Sequence, residues 1–231
     1  MSSYKAHTLF GLVLSLLYFQ NPLAIALVIL GANFSDFDHD FKRKNVFYLM
    51  LIGLILTIVM YAFDFPYYIG LILILLSLIF LLSSHRGFTH SIFGILVLSI
   101  LISSIVICGM NFIIYFSMFS NYITFKLALV LMIILLSVFV LNKRVLPFFL
   151  ALLILGLLFI PCTKISNVLI FISLILGFLS HLILDSFSAS GIRLFRPFSN
   201  RKVYKKFGIT LSILLIILSI PHLINLSHLL F

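Results

Sequence analysis

Apolar residues run along this chain in long blocks parted by short polar breaks. Seven blocks are long enough to read as full spans, approximately Val46 to Ala62, Pro66 to Leu82, Ser91 to Met110, Phe125 to Leu141, Val145 to Ile160, Asn167 to Leu184 and Phe207 to Ile220. Crossing the hydrocarbon of a bilayer takes about 20 apolar residues in helical form, and unsatisfied backbone groups in lipid exclude irregular spans. Each block therefore predicts a transmembrane helix. A further stretch, Leu9 to Ala32, is interrupted by Gln20, Asn21 and Pro22. Proline stops or kinks a helix unless it opens one, so this stretch reads either as one span or as a hairpin of two half-helices.

Composition agrees with the blocks. Of 231 residues, 64% are hydrophobic and 9% charged, with a mean hydropathy of +1.35. No soluble domain has that balance. The expected fold is all-α: a polytopic integral membrane helical bundle with about seven full spans plus an N-terminal hairpin or span. With short gaps, no internal repeat and no flexible linker, residues 1–231 read as a single membrane-embedded domain. Lys5 before an apolar run invites a signal-peptide reading, but no convincing small-x-small cleavage site follows. Cys108 and Cys162 lack CxxC spacing and read as small buried hydrophobes.

The basic residues set an orientation. Lys42, Arg43 and Lys44, then Arg86, then Lys143 and Arg144, then Arg193, Arg196, Arg201, Lys202, Lys205 and Lys206 all fall in loops on one side of the spans. Short cationic loops are retained in the cytoplasm, so that side is expected to be cytoplasmic. A hairpin at Leu9 to Ala32 also brings Lys5 to it. The net charge of +10 lies against apolar segments, which points to anionic lipid headgroups, met by the Arg193 to Lys206 loop, rather than to nucleic acid.

The acidic residues are few: five aspartates and no glutamate. Asp36, Asp38 and Asp40 surround His39 at the end of the first apolar stretch. His85 and His90 enclose a tight turn containing Gly87, and Asp185 follows His181 by four, one helical turn on the same face. All three groups close spans on the expected cytoplasmic side. Each alone has a structural explanation: a solvated acidic loop, interfacial caps, a satisfied intramembrane pair. Together they concentrate scarce polar residues at one end of the bundle, and imidazole with carboxylate suits zinc, manganese or iron. More than four donors indicate more than one ion, and His7 joins the set in the hairpin reading, where Gly11 leaves room for close helix packing. His222 and His228 belong to the tail and are expected to do nothing chemical.

These residues resemble the YdjM-like family of LexA-regulated, membrane-bound metal-dependent hydrolases. The resemblance rests on His7 with Gly11; on Asp36, Asp38 and His39; on the segment His-Arg-Gly-x-Thr-His-Ser from His85 to Ser91; and on His181 and Asp185 followed by Gly191, Pro197 and Phe198. Ser35 stands where the family usually has proline. The order of motifs is also distantly similar to zinc-dependent phospholipases C and single-strand-specific zinc nucleases. The resemblance implies two or three divalent ions held among His7, Asp36, Asp38, His39, His85, His90, His181 and Asp185, in a protein of the inner membrane. Arg86 and Asp38 are expected to serve catalysis directly, Arg86 by gripping phosphoryl oxygens, with Thr89 and Ser91 donating supporting hydrogen bonds. The implied function is hydrolysis of a lipid or lipid-linked phosphoester. Two other classes fit the same residues: a metal- or proton-coupled transporter, and a non-catalytic membrane regulator with a structural metal site.

Overall fold

The structure is a computed structural model that describes residues 4–38, 43–83, 87–116, 121–160, 163 and 165–230. Among these residues the chain is helical, with one isolated bridge between Ile192 and Val203 and no strand. The helices are α1 (Tyr4–Leu16), α2 (Pro22–Phe34), α3 (Arg43–Ala62), α4 (Tyr68–Leu82), α5 (Ile92–Tyr115), α6 (Asn121–Val140), α7 (Leu146–Phe159), α8 (Asn167–Ser186) and α9 (Lys205–Leu230). Short 3-10 turns, Ser35–Asp38 and Phe88–His90, follow α2 and precede α5.

Every expected block is a helix. Five of them, in α3, α5, α6, α8 and α9, are long and apolar enough to cross a membrane. The blocks at α4 and α7 form helices of 15 and 14 residues, roughly 22 and 21 Å long against about 30 Å of hydrocarbon. The polar interruption in the first stretch is a turn, so the hairpin reading holds. Pro22 opens α2 at its first position, where its missing N–H costs nothing. Asn21 caps that helix by accepting from the Leu23 amide at 3.0 Å, and its side-chain amide donates to the Thr163 carbonyl at 2.8 Å, which ties the turn to the start of α8.

Helix α2 is the centre of the bundle. Almost all of it is buried, as expected for a helix that is apolar on every side. It packs on α1, α6, α7 and above all α8. The α2–α8 crossing depends on the absence of side chains: a Cβ on Gly31 would lie 2.6 Å from the Leu174 carbonyl oxygen, and one on Gly177 would strike the Val28 carbonyl. In lipid, helices gain little from hydrophobic exclusion and associate through such close packing. Gly11 does the same for α1, since a Cβ there would lie 2.9 Å from that of Ala32. Near the same end Asn33 donates to the Thr8 hydroxyl at 3.1 Å and to the Ile29 carbonyl at 2.8 Å, joining α1 to α2.

Overpacking at such a contact costs about 1–3 kcal/mol. Gly31→Val or Gly177→Val is therefore expected to lower the melting temperature of detergent-purified protein by several degrees. Ala151→Val, on an exposed position of α7, leaves it unchanged.

Candidate metal centre

Four helix ends meet at one end of the bundle and carry the polar residues there. His7 lies on the first turns of α1, Asp36 on the turn after α2, His90 on the turn before α5, and His181 and Asp185 on the last turns of α8. His7, His90, His181 and Asp185 are buried, while the Asp36 side chain is 15% exposed.

His181 is the hub. Its Nδ1 lies 2.7 Å from the Ala32 carbonyl oxygen, which only accepts, so Nδ1–H donates and Nε2 is the atom turned to the cluster. That Nε2 lies 3.1 Å from Nε2 of His90, 3.5 Å from Asp185 Oδ2 and 3.7 Å from Asp36 Oδ1. His90 is set from behind by the Thr89 hydroxyl, 3.0 Å from its Nδ1, and its Nε2 lies 3.3 Å from Asp185 Oδ2. The His7 ring stacks on His181 at 4.0 Å and 15°, with its Nε2 3.6 Å from the other Asp185 oxygen. Donor atoms thus form two overlapping groups that share His181: His7, His181 and Asp185, and Asp36, His90 and His181, each within 4.8 Å.

This buried cluster could hold a metal ion, and its dimensions fit one. Tetrahedral coordination at about 2.0–2.1 Å separates neighbouring donors by about 3.3 Å. The triangle of His90 Nε2, His181 Nε2 and Asp185 Oδ2 has edges of 3.1, 3.3 and 3.5 Å. Two imidazole nitrogens this close, beside a buried carboxylate, are bridged by a proton as a hydrogen bond or, once that proton is lost, by a cation. The hydrogen bonds from behind His181 and His90 are the kind that orient ligating imidazoles.

The structure brings together five of the residues singled out in the sequence: His7, Asp36, His90, His181 and Asp185. His39, Asp40, His85 and Arg86 lie outside the described residues, as does the side chain of Asp38. Thr89 supports His90 as expected, but Ser91 has a different task. Its hydroxyl donates to the Phe88 carbonyl at 2.7 Å and accepts from the Gly94 amide at 3.0 Å, capping α5. His222 lies on α9, 17 residues beyond Lys205 and so about 25 Å along the helix from the end nearest the cluster. The Ala32 carbonyl and the Thr8–Asn33 bond carried no sequence motif. A polar Thr and Asn inside apolar blocks was the signal for the second. The basic loop after α8 docks beside the cluster, where the Ile92 amide donates to the Leu194 carbonyl at 3.0 Å. Its bend needs Gly191, whose φ of 64° favours glycine.

Removing His181 or Asp185 takes a corner from the triangle and from the first group at once. His181→Ala and Asp185→Ala are expected to lower bound metal in purified protein severalfold without preventing membrane insertion. His222→Ala retains the full content, as read by elemental analysis.

No curated protein and no solved structure matches the chain. Residues 127–229, from α6 to the end of α9, match the family model described as YdjM inner membrane protein, the family that the histidine and aspartate motifs resemble.

Proposed function

We propose that this chain is a membrane-embedded, metal-dependent hydrolase that acts on a lipid or lipid-linked phosphoester at the cytoplasmic face. The observation that carries this reading is the His90, His181 and Asp185 triangle, whose edges suit one divalent ion. Zinc suits the mix of imidazole and carboxylate best, with manganese or iron next. A second ion would be held by His7 with Asp185 Oδ1, or by Asp36 with His181.

Each residue has a stated task. His90 and His181 present Nε2 lone pairs, with the Thr89 hydroxyl and the Ala32 carbonyl holding the rings in place. Asp185 supplies negative charge at the centre. The bound ion would contribute Lewis acidity, acidifying water and offsetting charge that develops on phosphoryl oxygens. Asp36, the partly exposed member, marks the side from which substrate arrives. Arg86 is suited to hold phosphoryl oxygens. The loop from Arg193 to Lys206 adds cations and three exposed rings, Phe195, Phe198 and Tyr204, a combination suited to an anionic membrane surface. The cytoplasmic assignment follows from the basic residues beside the cluster-bearing helix ends.

One observation favours a second reading. His7, His90, His181 and Asp185 are nearly inaccessible, as in a closed structural site of a membrane regulator. A transporter is less well supported, because the donors sit at helix ends rather than in broken helices at the bilayer midplane.

Elemental analysis joined to phosphate or headgroup release from a mixed phospholipid panel separates these readings. A hydrolase gives two or three metal equivalents and metal-dependent release, and Arg86→Ala keeps the metal while losing at least about tenfold in turnover. Metal without release from any phosphoester, in protein that loses its fold on chelation, assigns the ion to structure.

A further inference from the structure

Helix α1 has two working faces. His7, Gly11 and Leu14 are buried, with His7 and Gly11 set against α8 and α2. Lys5, Thr8, Leu9 and Leu12 point instead into a cavity of about 330 Å³ whose other wall is α7 and whose mouth also carries Arg144. A second cavity of about 320 Å³ continues it, sharing Leu12, Ile29, Phe149 and Leu152. It extends to Pro22 and Gly156, where a Cβ on Gly156 would lie 2.8 Å from that of Pro22. The two form one apolar groove between the α1–α2 hairpin and α7, with both its cations at the end nearest the metal centre.

We infer that this groove is a binding site for an anionic phospholipid, with one acyl chain along the groove and the phosphate held between Lys5 and Arg144. Three features fit that occupant. Along α7 the groove lining runs from Val145 to Ile160, a length of about 22 Å, which is enough to cover one leaflet of a hydrocarbon core about 30 Å thick. Its walls are aliphatic and aromatic, while Lys5, Arg144 and Thr8 gather at a single end. Lys5 and Arg144 are both exposed, one in the first turn of α1 and the other just before α7. A zwitterionic lipid brings the same phosphate but also its own ammonium, which competes with Lys5 and Arg144 for it, so an anionic headgroup pairs better with the two cations. The site does not depend on the hydrolase reading, since the groove and the metal centre lie on opposite faces of α1.

The chain contains no tryptophan, so F148W places a single fluorophore in the groove in exchange for another ring. L54W provides a control on α3, where Leu54 is 49% exposed. In vesicles, the acyl-brominated forms of phosphatidylglycerol and phosphatidylcholine are compared as quenchers. Groove binding gives the phosphatidylglycerol form a relative binding constant roughly tenfold higher at F148W and equal quenching by both lipids at L54W. K5A and R144A each lower that preference roughly threefold, and the charge-conserving K5R/R144K pair retains it. Equal quenching of F148W by the two lipids overturns the site. So does a preference that survives K5A/R144A, or one lost instead when Lys202, Lys205 and Lys206 are changed to alanine.

Discussion

The backbones of α2 and α8 touch where neither helix has a side chain, and the polar centre exists because they do. Gly31 lies so close to Leu174, and Gly177 to Val28, that a single methyl group at either would force the helices apart. At that separation the His181 ring reaches the Ala32 carbonyl across the contact. The hydrogen bond sets the imidazole's tautomer and its direction, and Asp185, one turn later, falls beside the same nitrogen. Moving α8 outward by an ångström would break the bond to Ala32 and leave a buried histidine with no fixed orientation. Gly11 brings α1 to the same crossing and His7 onto the face of His181.

Such a centre is expensive in this setting. Ionisable residues at membrane depth persist where they pair with one another, with backbone carbonyls or with an ion. Here the donors occupy helix ends, where the chain can turn inward without leaving backbone groups exposed to lipid. The 3-10 turns after α2 and before α5 do this for Asp36 and His90. Ser91 closes the second of them by capping α5, which frees Thr89 to face His90.

The same economy of elements explains the proximity of the groove. The hairpin helices and α7 have 13, 13 and 14 residues, too short to cross the hydrocarbon alone. Short helices leave room between them, and α7 leans on α2 at its far end while standing away from α1 at the end that bears Arg144. One wall, α1, then faces the histidine and aspartate cluster on its buried side and the groove on its outer side. Its residues alternate between the two with helical period.

By itself the sequence determined the membrane class, the helical blocks and the polar side chains scarce enough to matter, because apolar run length and the rarity of Asp and His are properties of composition and order. It also indicated the hairpin as one of two readings, since Pro22 after Asn21 is a helix start. Tertiary structure decided between those readings by tying Asn21 to Thr163. It decided which oxygen of Asp185 faces which histidine, and that the support of His181 is a backbone carbonyl, a group every residue carries and no motif can mark. Ser91 shows the same limit from the other side: its place beside His90 fitted a supporting hydrogen bond, and the geometry of the turn directed its hydroxyl to the helix terminus. The groove was equally illegible, because Lys5 and Arg144 are 139 positions apart and only the packing of α1, α2 and α7 sets them at one mouth. Residue type tells what a group is able to do; distances across helices far apart in the chain, set by where glycines let backbones meet, determine what it does.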